Sequence, residues 1–402
     1  MSRVILHCDC NSFFASVETI LYPEYKNVPM AVCGSVEDRH GIVLAKNELA
    51  KKYGVVTAET VHSAKKKCPG LVIASPHHEE YIKYSKLVNE IYARYTDMIE
   101  PFGIDESWLD VTASGKLFGS GYEIAERIRR EIKEEIGLTV SIGVSFNKVF
   151  SKLGSDYKKP DAVTVINEEN FKDIVFPLPV SDLLFVGKKT AEILSALAIR
   201  TIGELASADV EFLKFKLGKA GEMLHKYANG LDDSPVEANR EDAKSVGNGI
   251  TFRHDLTSFE ECRVGIDFLS DEIGRRLRKN NQLCSTVSLS VKDPCLRTIQ
   301  RQRQLNFPTN VAKEISKVAY SILTDEWHEG SPIRMITVTA TGLQRKAGSG
   351  IQISMFEDNN EKDLKRENAV DKIRQKFGNS SIFNGAVIQS DIGIFEISDN
   401  KK

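Results

Sequence analysis

The chain has few cysteines, no long apolar run and almost no net charge, and each absence narrows what it can be. Its 402 residues include seven cysteines and no Cys-x-x-Cys pair, which indicates reduced thiols and a cytoplasmic location rather than a disulfide-stabilised protein. No apolar run is long enough to span a bilayer, and the N-terminus enters a predicted strand rather than a signal peptide. This length predicts roughly two to four domains.

The formal net charge of −2 does not by itself point to nucleic acid as a partner. It does not exclude nucleic acid either, because the local distribution of charge matters more than the total.

Two neighbouring carboxylates, Asp105 and Glu106, lie in a predicted turn between two strands of the stretch Glu100–Thr112. Like charges this close resist joint ionisation unless a cation neutralises them. Hard carboxylate oxygens suit magnesium best, so the pair predicts a metal site. An exposed turn with two solvated acids is the alternative, and Asp110 is expected to orient the hairpin rather than to bind metal.

A third acid, Asp9, ends the hydrophobic strand predicted over 3–9. Asn11 and Ser12 follow as N-cap candidates for a helix, whose free N–H groups could hold phosphate oxygens. Asp9 is therefore well placed to share a metal with the other two acids, although it could also be a helix-capping acid. His7 is expected to alternate away from this site and to be structural.

The segments Asp9–Glu18 and Gly103–Asp110 resemble the paired acidic motifs of the Y-family translesion DNA polymerases. Three further segments follow in the family's order: Leu44–Gly54, Ser141–Lys152 and Lys158–Asp161. The resemblance covers at least the first 240 residues and continues more weakly to the C-terminus. It implies an α+β multidomain fold, the right-hand polymerase with palm, fingers, thumb and little finger.

The resemblance and the composition together predict the domain boundaries. The predicted segments are the palm (1–23 and 77–168), the fingers (24–76), the thumb (169–232, helix-hairpin-helix-like), a linker (233–244), the little finger (245–345) and a C-terminal tail (346–402).

The resemblance assigns two Mg²⁺ ions, with Mn²⁺ as a substitute, to Asp9, Asp105, Glu106 and the backbone carbonyl of Cys10. A pair of such ions can activate a primer 3′-hydroxyl and neutralise a pyrophosphate leaving group. The implied activity is template-directed, low-fidelity translesion synthesis by a DNA polymerase that uses dNTPs and primer–template DNA. Proofreading is not expected, and the protein is expected to be a monomer.

Five residues are assigned to the incoming nucleotide by the same resemblance: Phe13, Phe14, Asn47, Lys51 and Lys159. Phe14 is the expected steric gate against the ribose 2′-hydroxyl. Asn47 and Lys51 lie four apart on a predicted helix and therefore share a face. A core aromatic and solvated lysines are the alternatives.

Three positions depart from the commonest pattern of the bacterial polymerase IV branch. Glu48 stands where tyrosine is usual, Lys51 where arginine is usual, and Asn11 where an acid is frequent. These departures resemble the UmuC-like branch more closely. The alternative functions are therefore a UmuC-like catalytic subunit that requires a protein partner, and a catalytically silent, clamp-tethered DNA-binding protein.

A stretch between residues 275 and 303 is strongly basic and predicts a surface that tracks DNA phosphates. Asp293 is its one acid. A merely solvated face is the alternative. The predicted DNA contacts are Arg275, Arg276, Arg278, Lys279, Arg297, Arg301 and Arg303, together with Gly187 and Lys188 of the helix-hairpin-helix-like segment Leu183–Leu194.

A Gly/Ser-rich tether, 346–350, precedes the segment Gln352–Phe356. Its Gln-x-x-aliphatic-Phe form resembles the peptide by which bacterial polymerases dock on the sliding clamp. Met355 and Phe356 would fill an apolar pocket while Gln352 makes polar contacts. An ordinary strand edge is the alternative.

Overall fold

The computed structural model describes residues 3–35, 41–238, 243–345, 358–383, 385–388 and 390–393, with only the backbone for 358–361. The chain divides into two compact units. The first comprises Met1–Val32 and Val43–Arg240, and the second comprises Cys33–Ile42 and Glu241–Lys402. None of the described helices is long and apolar enough to cross a membrane.

The region up to residue 230 alternates short strands with helices. In chain order its elements are β1 (Ile5–Cys10), α1 (Phe13–Leu21), β2 (Met30–Cys33), β3 (Val43–Lys46), α2 (Glu48–Lys52), α3 (Val61–Lys67), β4 (Val72–Ala74), α4 (His78–Tyr92), β5 (Ile99–Pro101), β6 (Glu106–Asp110), α5 (Gly115–Phe118), α6 (Gly121–Glu131), β7 (Val140–Ser145), α7 (Lys148–Tyr157), β8 (Val163–Ile166), α8 (Phe171–Val175), α9 (Lys188–Ala196), α10 (Ile202–Ser207), α11 (Val210–Leu217) and α12 (Lys219–Ala228).

A five-stranded sheet in the order β5-β6-β1-β7-β8 forms the centre of the first unit. We call it the palm sheet. The strand β1 is antiparallel to both neighbours, β6 and β7, while β7 and β8 are parallel. The helices α4 and α6 bury one face of this sheet in an apolar core that includes Leu6, Cys8 and Leu109. Because strand side chains alternate, the odd-numbered residues of β1 lie on the opposite face.

The helix α7 lies directly against that opposite face. A Cβ added to Gly143 of β7 would lie 1.9 Å from the carbonyl oxygen of Ser151, so only glycine permits this close approach. The helix begins at Lys148, because the side chain of Asn147 caps it by accepting a hydrogen bond from the backbone N–H of Phe150 at 2.7 Å. Its lysines are thereby brought to the acidic strand ends.

Two smaller layers complete the first unit. The strands β3, β2 and β4 form a three-stranded sheet, and helices α8 to α12 bury their own apolar core. The first residues of the predicted linker (233–244) pack against the palm sheet. Val236 is buried against Ile5 and Trp108, and the backbone N–H of Glu237 donates to Glu100 at 2.7 Å.

The second unit is a sheet in the order β11-β10-β12-β9, with β13 paired to β10. Helices α13 and α14 pack on one face of this sheet and bury a single apolar core. Its elements are β9 (Ser245–Leu256), α13 (Phe259–Lys279), β10 (Gln282–Lys292), β11 (Thr298–Thr309), α14 (Ala312–Glu326), β12 (Ile333–Thr341), β13 (Gln344–Arg345), α15 (Asp358–Phe377) and α16 (Gly385–Ile388).

Candidate active site

The register of the palm sheet brings the three predicted acids together. Asp9, near the end of β1, pairs directly with Glu106, the first residue of β6. Their side chains therefore project from the same face of the sheet. The backbone N–H of Cys10 donates to the carbonyl of Asp105 at 3.0 Å, which fixes the turn that carries the third acid.

Two lysines neutralise two of these acids. The ammonium of Lys152 lies 2.6 Å from Glu106 and 3.2 Å from Asp9. The ammonium of Lys159 lies 2.6 Å from Asp9 and 2.7 Å from Asp156. Lys159 was predicted to lie here, but the sequence analysis missed Lys152. Its signal was available, since Lys152 is the last residue of the recognised segment Ser141–Lys152.

His7 does not alternate away from the site, so that prediction is wrong. Side chains two residues apart on a strand share a face, and His7 therefore lies beside Asp9. Its ring is fully buried, with Nε2 3.2 Å from Glu106 and Nδ1 2.8 Å from the hydroxyl of Ser155. The contact with His7 holds the carboxylate of Glu106 in place.

Asp105 and Glu106 are neighbours in the chain, but their surroundings shift their pKa values in opposite directions. Burial, with the charges of Asp9 and Glu106 added, raises the pKa of Asp105 to about 6. Burial alone would also raise the pKa of Glu106, but hydrogen bonds from His7 and Lys152 outweigh it and hold that pKa at about 2. Asp105 is thus the acid that most needs a further cation.

The donor set fits a hard divalent cation, although it is not arranged as a finished site. Three carboxylates and the backbone carbonyl of Cys10 supply the oxygen ligands that Mg²⁺ prefers. Among the described residues, no group of three His, Cys, Asp or Glu side chains is already positioned to hold a metal ion. Because Lys152 and Lys159 contact Asp9 and Glu106, an ion must compete with their ammonium groups.

A cavity of about 340 Å³ opens beside the acids. Phe14 is only partly buried and stacks on Tyr81, with ring centroids 4.1 Å apart and planes 12° apart. Phe13 is 3% exposed and belongs to the core. The cavity is lined by Asp9, Cys10, Asn11, Ser12, Phe13, Phe14, Leu44, Ala45, Lys46, Glu48, Lys51, Thr57, Ile104, Asp105, Lys159 and Pro160.

The two predicted residues of the fingers separate in the structure. Lys51 lines the cavity, and its ammonium lies 3.7 Å from Glu48. Asn47 lies just before α2 as its N-cap, not inside the helix. Its side-chain oxygen accepts from Met30 and Ala50, and its amide donates to the carbonyl of Val28. Asn47 therefore uses its hydrogen-bonding capacity to shape the wall.

In the segment Leu183–Leu194, Phe185 stands where helix-hairpin-helix turns usually have a glycine. Phe185 adopts φ +69°, in the left-handed region that favours glycine, and its side chain is exposed. Gly187 is the N-cap of α9 without a side-chain cap, and Lys188 and Lys189 follow on the exposed surface. The role of Gly187 and Lys188 in binding DNA stays a prediction.

The predicted basic stripe does not form one surface. The Arg278 side chain is 6% exposed and pairs with Glu367 and with Asp371, the latter at 2.6 Å. Arg278 is therefore a buried structural residue, and its prediction as a DNA contact is wrong. Arg275 pairs with Glu272 at 2.8 Å on the same helix. Lys279 is exposed on α13, where it and the partly exposed Arg276 line a shallow cavity with Gly247.

Arg301 and Arg303 lie on the side of the sheet that faces the helices. They pair in register with Leu289 and Val287, which are core residues. Arg301 reaches Glu326 at 3.0 Å and Arg303 reaches Asp325 at 2.6 Å, both at the end of α14. The alternating residues of β11 face away from the helices, on what we call the open face: Gln300, Gln302 and Gln304.

Three further predictions concern Arg297, Asp110 and the clamp-binding segment. Arg297 follows the turn after β10, where its backbone N–H donates to Asp293 at 2.8 Å. Asp110 accepts a hydrogen bond from the backbone N–H of Thr112 at 2.9 Å, consistent with a role in shaping the hairpin. The segment with Gln352, Met355 and Phe356 lies outside the described residues.

The fold and the acidic cavity together define a polymerase of the right-hand type. The structure matches a solved Y-family DNA polymerase chimera with a TM-score of 0.77 and 24% identity, over 85% of this chain and all of that one. This likeness confirms the predicted α+β multidomain fold.

The chain belongs to the impB/mucB/samB family. The family profile matches residues 8–156, and the profile of the family's C-terminal domain matches residues 243–355. A DNA polymerase IV of Acetivibrio thermocellus is 49% identical over 97% of this chain and 98% of its own length. One from Clostridium kluyveri is 40% identical over 97% and 99%, and DNA polymerase IV 1 of Bacillus subtilis is 36% identical over 97% and 94%.

These relatives correct one interpretation. Glu48, Lys51 and Asn11 favoured the UmuC-like branch, whereas the similar proteins carry the name DNA polymerase IV over nearly their whole length. Three substitutions near the cavity are a weaker indicator than identity spread along the whole chain.

Proposed function

We infer that this chain is a template-directed DNA polymerase that performs translesion synthesis, adding nucleotides from dNTPs to a primer 3′-hydroxyl. The observation that carries this inference is the pairing of Asp9 with Glu106, beside Asp105, at the edge of a cavity that also holds Lys51 and Lys159. Acids and phosphate-binding cations thus meet in one place on a Y-family fold.

Y-family DNA polymerases depend on divalent metal ions, and the chemistry of this site is consistent with that dependence. We assign two Mg²⁺ ions, replaceable by Mn²⁺, to Asp9, Asp105, Glu106 and the carbonyl of Cys10. When bound, such ions supply activation of the 3′-hydroxyl and charge neutralisation at the leaving pyrophosphate. Lys159, held by Asp9 and Asp156, and Lys51 bind the phosphates of the incoming nucleotide from two sides of the cavity.

Phe14 serves as the steric gate. Its ring lines the cavity and is supported from behind by the stacked ring of Tyr81. The Phe14→Ala variant should admit ribonucleotides, because the ring no longer excludes a 2′-hydroxyl. Unchanged sugar discrimination in single-nucleotide incorporation would reject this assignment.

DNA and the clamp engage other parts of the chain. The open face of the second sheet contacts primer–template DNA. Arg276 and Lys279 at the end of α13, Arg297, Gly187 and Lys188 contribute further contacts to DNA. The segment Gln352–Phe356 docks on the sliding clamp. Its deletion should lower clamp-stimulated synthesis and spare clamp-free synthesis, and equal loss in both assays would reject the docking role.

The protein acts as a cytoplasmic monomer. All seven cysteines are free, and Cys295 is exposed, which suits a reducing compartment. Sedimentation of the purified protein tests the oligomeric state.

Primer extension by the purified protein, with Mg²⁺ or Mn²⁺, tests the central inference against Glu106→Gln. Extension by the wild type and loss of at least about 1,000-fold in the variant is the expected result, since a ligand of the catalytic ions is removed. Glu90→Gln, an exposed acid on α4, is the control. Wild-type activity that appears only with a protein partner would favour the UmuC-like alternative, and inactivity throughout would favour a silent DNA-binding protein.

A further inference from the structure

Lys46 ends β3 and contributes to the wall of the cavity beside the catalytic acids. Among the described residues, no carboxylate lies within ion-pair distance of its ammonium. Instead it donates a hydrogen bond to the hydroxyl of Thr57 at 2.9 Å, which holds the side chain against the same wall. The residue is half-buried, so its charge is partly shielded from water.

The other cations of the cavity are already neutralised. Lys159 contacts Asp9 and Asp156, and Lys51 faces Glu48. Within the described part of the chain, no carboxylate lies within ion-pair distance of Lys46. An ammonium in this position is unfavourable, because it has lost water without gaining an opposite charge.

A second observation agrees with this imbalance. Burial, together with the nearby charge of Lys51, holds the pKa of Lys46 below its usual range. The charges of Glu48 and Glu59 act in the opposite direction but do not offset this shift. An anion placed between the two ammonium groups would relieve their repulsion. A polyphosphate is the anion that fits a cavity whose lining also includes Lys159, Asp9 and Asp105.

We propose that Lys46 is a third lysine for the phosphate tail of the incoming nucleoside triphosphate, acting together with Lys51 and Lys159 of the same cavity. This proposal rests on the polymerase function inferred above. Lys51 has Glu48 at 3.7 Å, whereas Lys46 has no carboxylate within ion-pair distance among the described residues, so that loss of Lys46 should weaken nucleotide binding at least as much as loss of Lys51.

Steady-state single-nucleotide incorporation tests the proposal on the full chain. Lys46→Ala should raise the KM for dNTP about 10-fold, with kcat changed less than about 3-fold, since one charge-assisted contact is lost. Lys46→Arg should restore most of the affinity. Lys52→Ala, an exposed lysine of α2, should leave KM within about 2-fold of wild type. A KM for Lys46→Ala equal to that of Lys52→Ala overturns the proposal.

A binding measurement separates failure of this proposal from failure of the proposed function. Binding of inorganic tripolyphosphate to the wild type and to Lys46→Ala can be measured by titration calorimetry. This measurement does not depend on polymerase activity. A weaker Kd in the variant by about 10-fold supports the role, and equal Kd values overturn it. A variant that weakens binding of primer–template DNA but leaves tripolyphosphate binding unchanged would place Lys46 on DNA and also overturn it.

Thr57→Val provides a variant that keeps the lysine itself. It removes the hydroxyl that positions the ammonium and should raise the dNTP KM by a smaller factor, about 3-fold. Thermal melting of each variant verifies that the fold is retained. No change in KM for Thr57→Val would show that the Thr57 contact does not position Lys46 for phosphate.

Discussion

The palm sheet and the sheet of the second unit place their charged residues in opposite ways. In the palm sheet, Asp9 and Glu106 pair across neighbouring strands and share one face, with Lys152 and Lys159 arriving from a different element. In the second sheet, Arg301 and Arg303 point to the helix side and are paired locally with acids of α14.

This difference shows which sequence patterns predict the position of a side chain in the folded protein. The acids belong to ordered motifs that resemble those of a known family, so their convergence was predictable. The basic stretch was a count of charges along the chain, and a count ignores which face each residue occupies. The alternating Gln-Arg-Gln-Arg-Gln of residues 300–304 contained the answer, because successive strand residues point to opposite faces.

The largest expected effect separates a buried arginine from an exposed one on the same helix. Arg278→Gln should lower the free energy of unfolding by roughly 3 kcal/mol, because it leaves Glu367 and Asp371 without their partner. Arg276→Gln should change it by less than about 0.5 kcal/mol. Chemical denaturation measures both values. Similar stability of the two variants would contradict the structural role given to Arg278.

The next largest effect is expected from replacing His7, which shares a face of the palm sheet with Asp9 and Glu106. His7→Phe keeps the ring but removes the contacts to Glu106 and Ser155. It should reduce kcat or the apparent affinity for Mg²⁺ about 10- to 100-fold, as expected when a residue that orients a metal ligand is lost. Cys8→Ala, one residue along and on the opposite face, is the control. An unchanged Mg²⁺ titration in His7→Phe would restore the purely structural interpretation.

A smaller effect measures the strain of the acidic cluster without metal. Ionised Asp105 is buried near Asp9 and Glu106, so Asp105→Asn in EDTA should raise the free energy of unfolding by about 1–2 kcal/mol at neutral pH. Because the folded pKa is raised to about 6, the cost of the wild-type carboxylate is present above that pH. The gain of the variant should therefore shrink as pH falls through 6, and a gain that grows toward acid would reject this account.

The smallest effect compares two pairs of basic residues from the stretch between residues 275 and 303. Arg301→Gln with Arg303→Gln should change DNA affinity less than about 2-fold, because both arginines are engaged with α14. Arg276→Gln with Lys279→Gln should reduce the slope of log affinity against log salt by about two. Salt titrations of both double variants measure this, and equal slopes would return Arg301 and Arg303 to the DNA surface.

Sequence by itself determined the family, the multidomain α+β fold and the three acids. It could do so because Asp9, Asp105 and Glu106 lie in short ordered motifs that resemble those of a known family, and such motifs can be read from a few neighbouring residues.

Only the tertiary structure decided which partners these residues meet. Lys152 reaches Glu106 because glycine at position 143 lets α7 lie against the palm sheet. Arg278 is buried because α15, far along the chain, supplies Glu367 and Asp371. Contacts between residues distant in sequence depend on how whole elements pack, and neither composition nor periodicity encodes that packing directly.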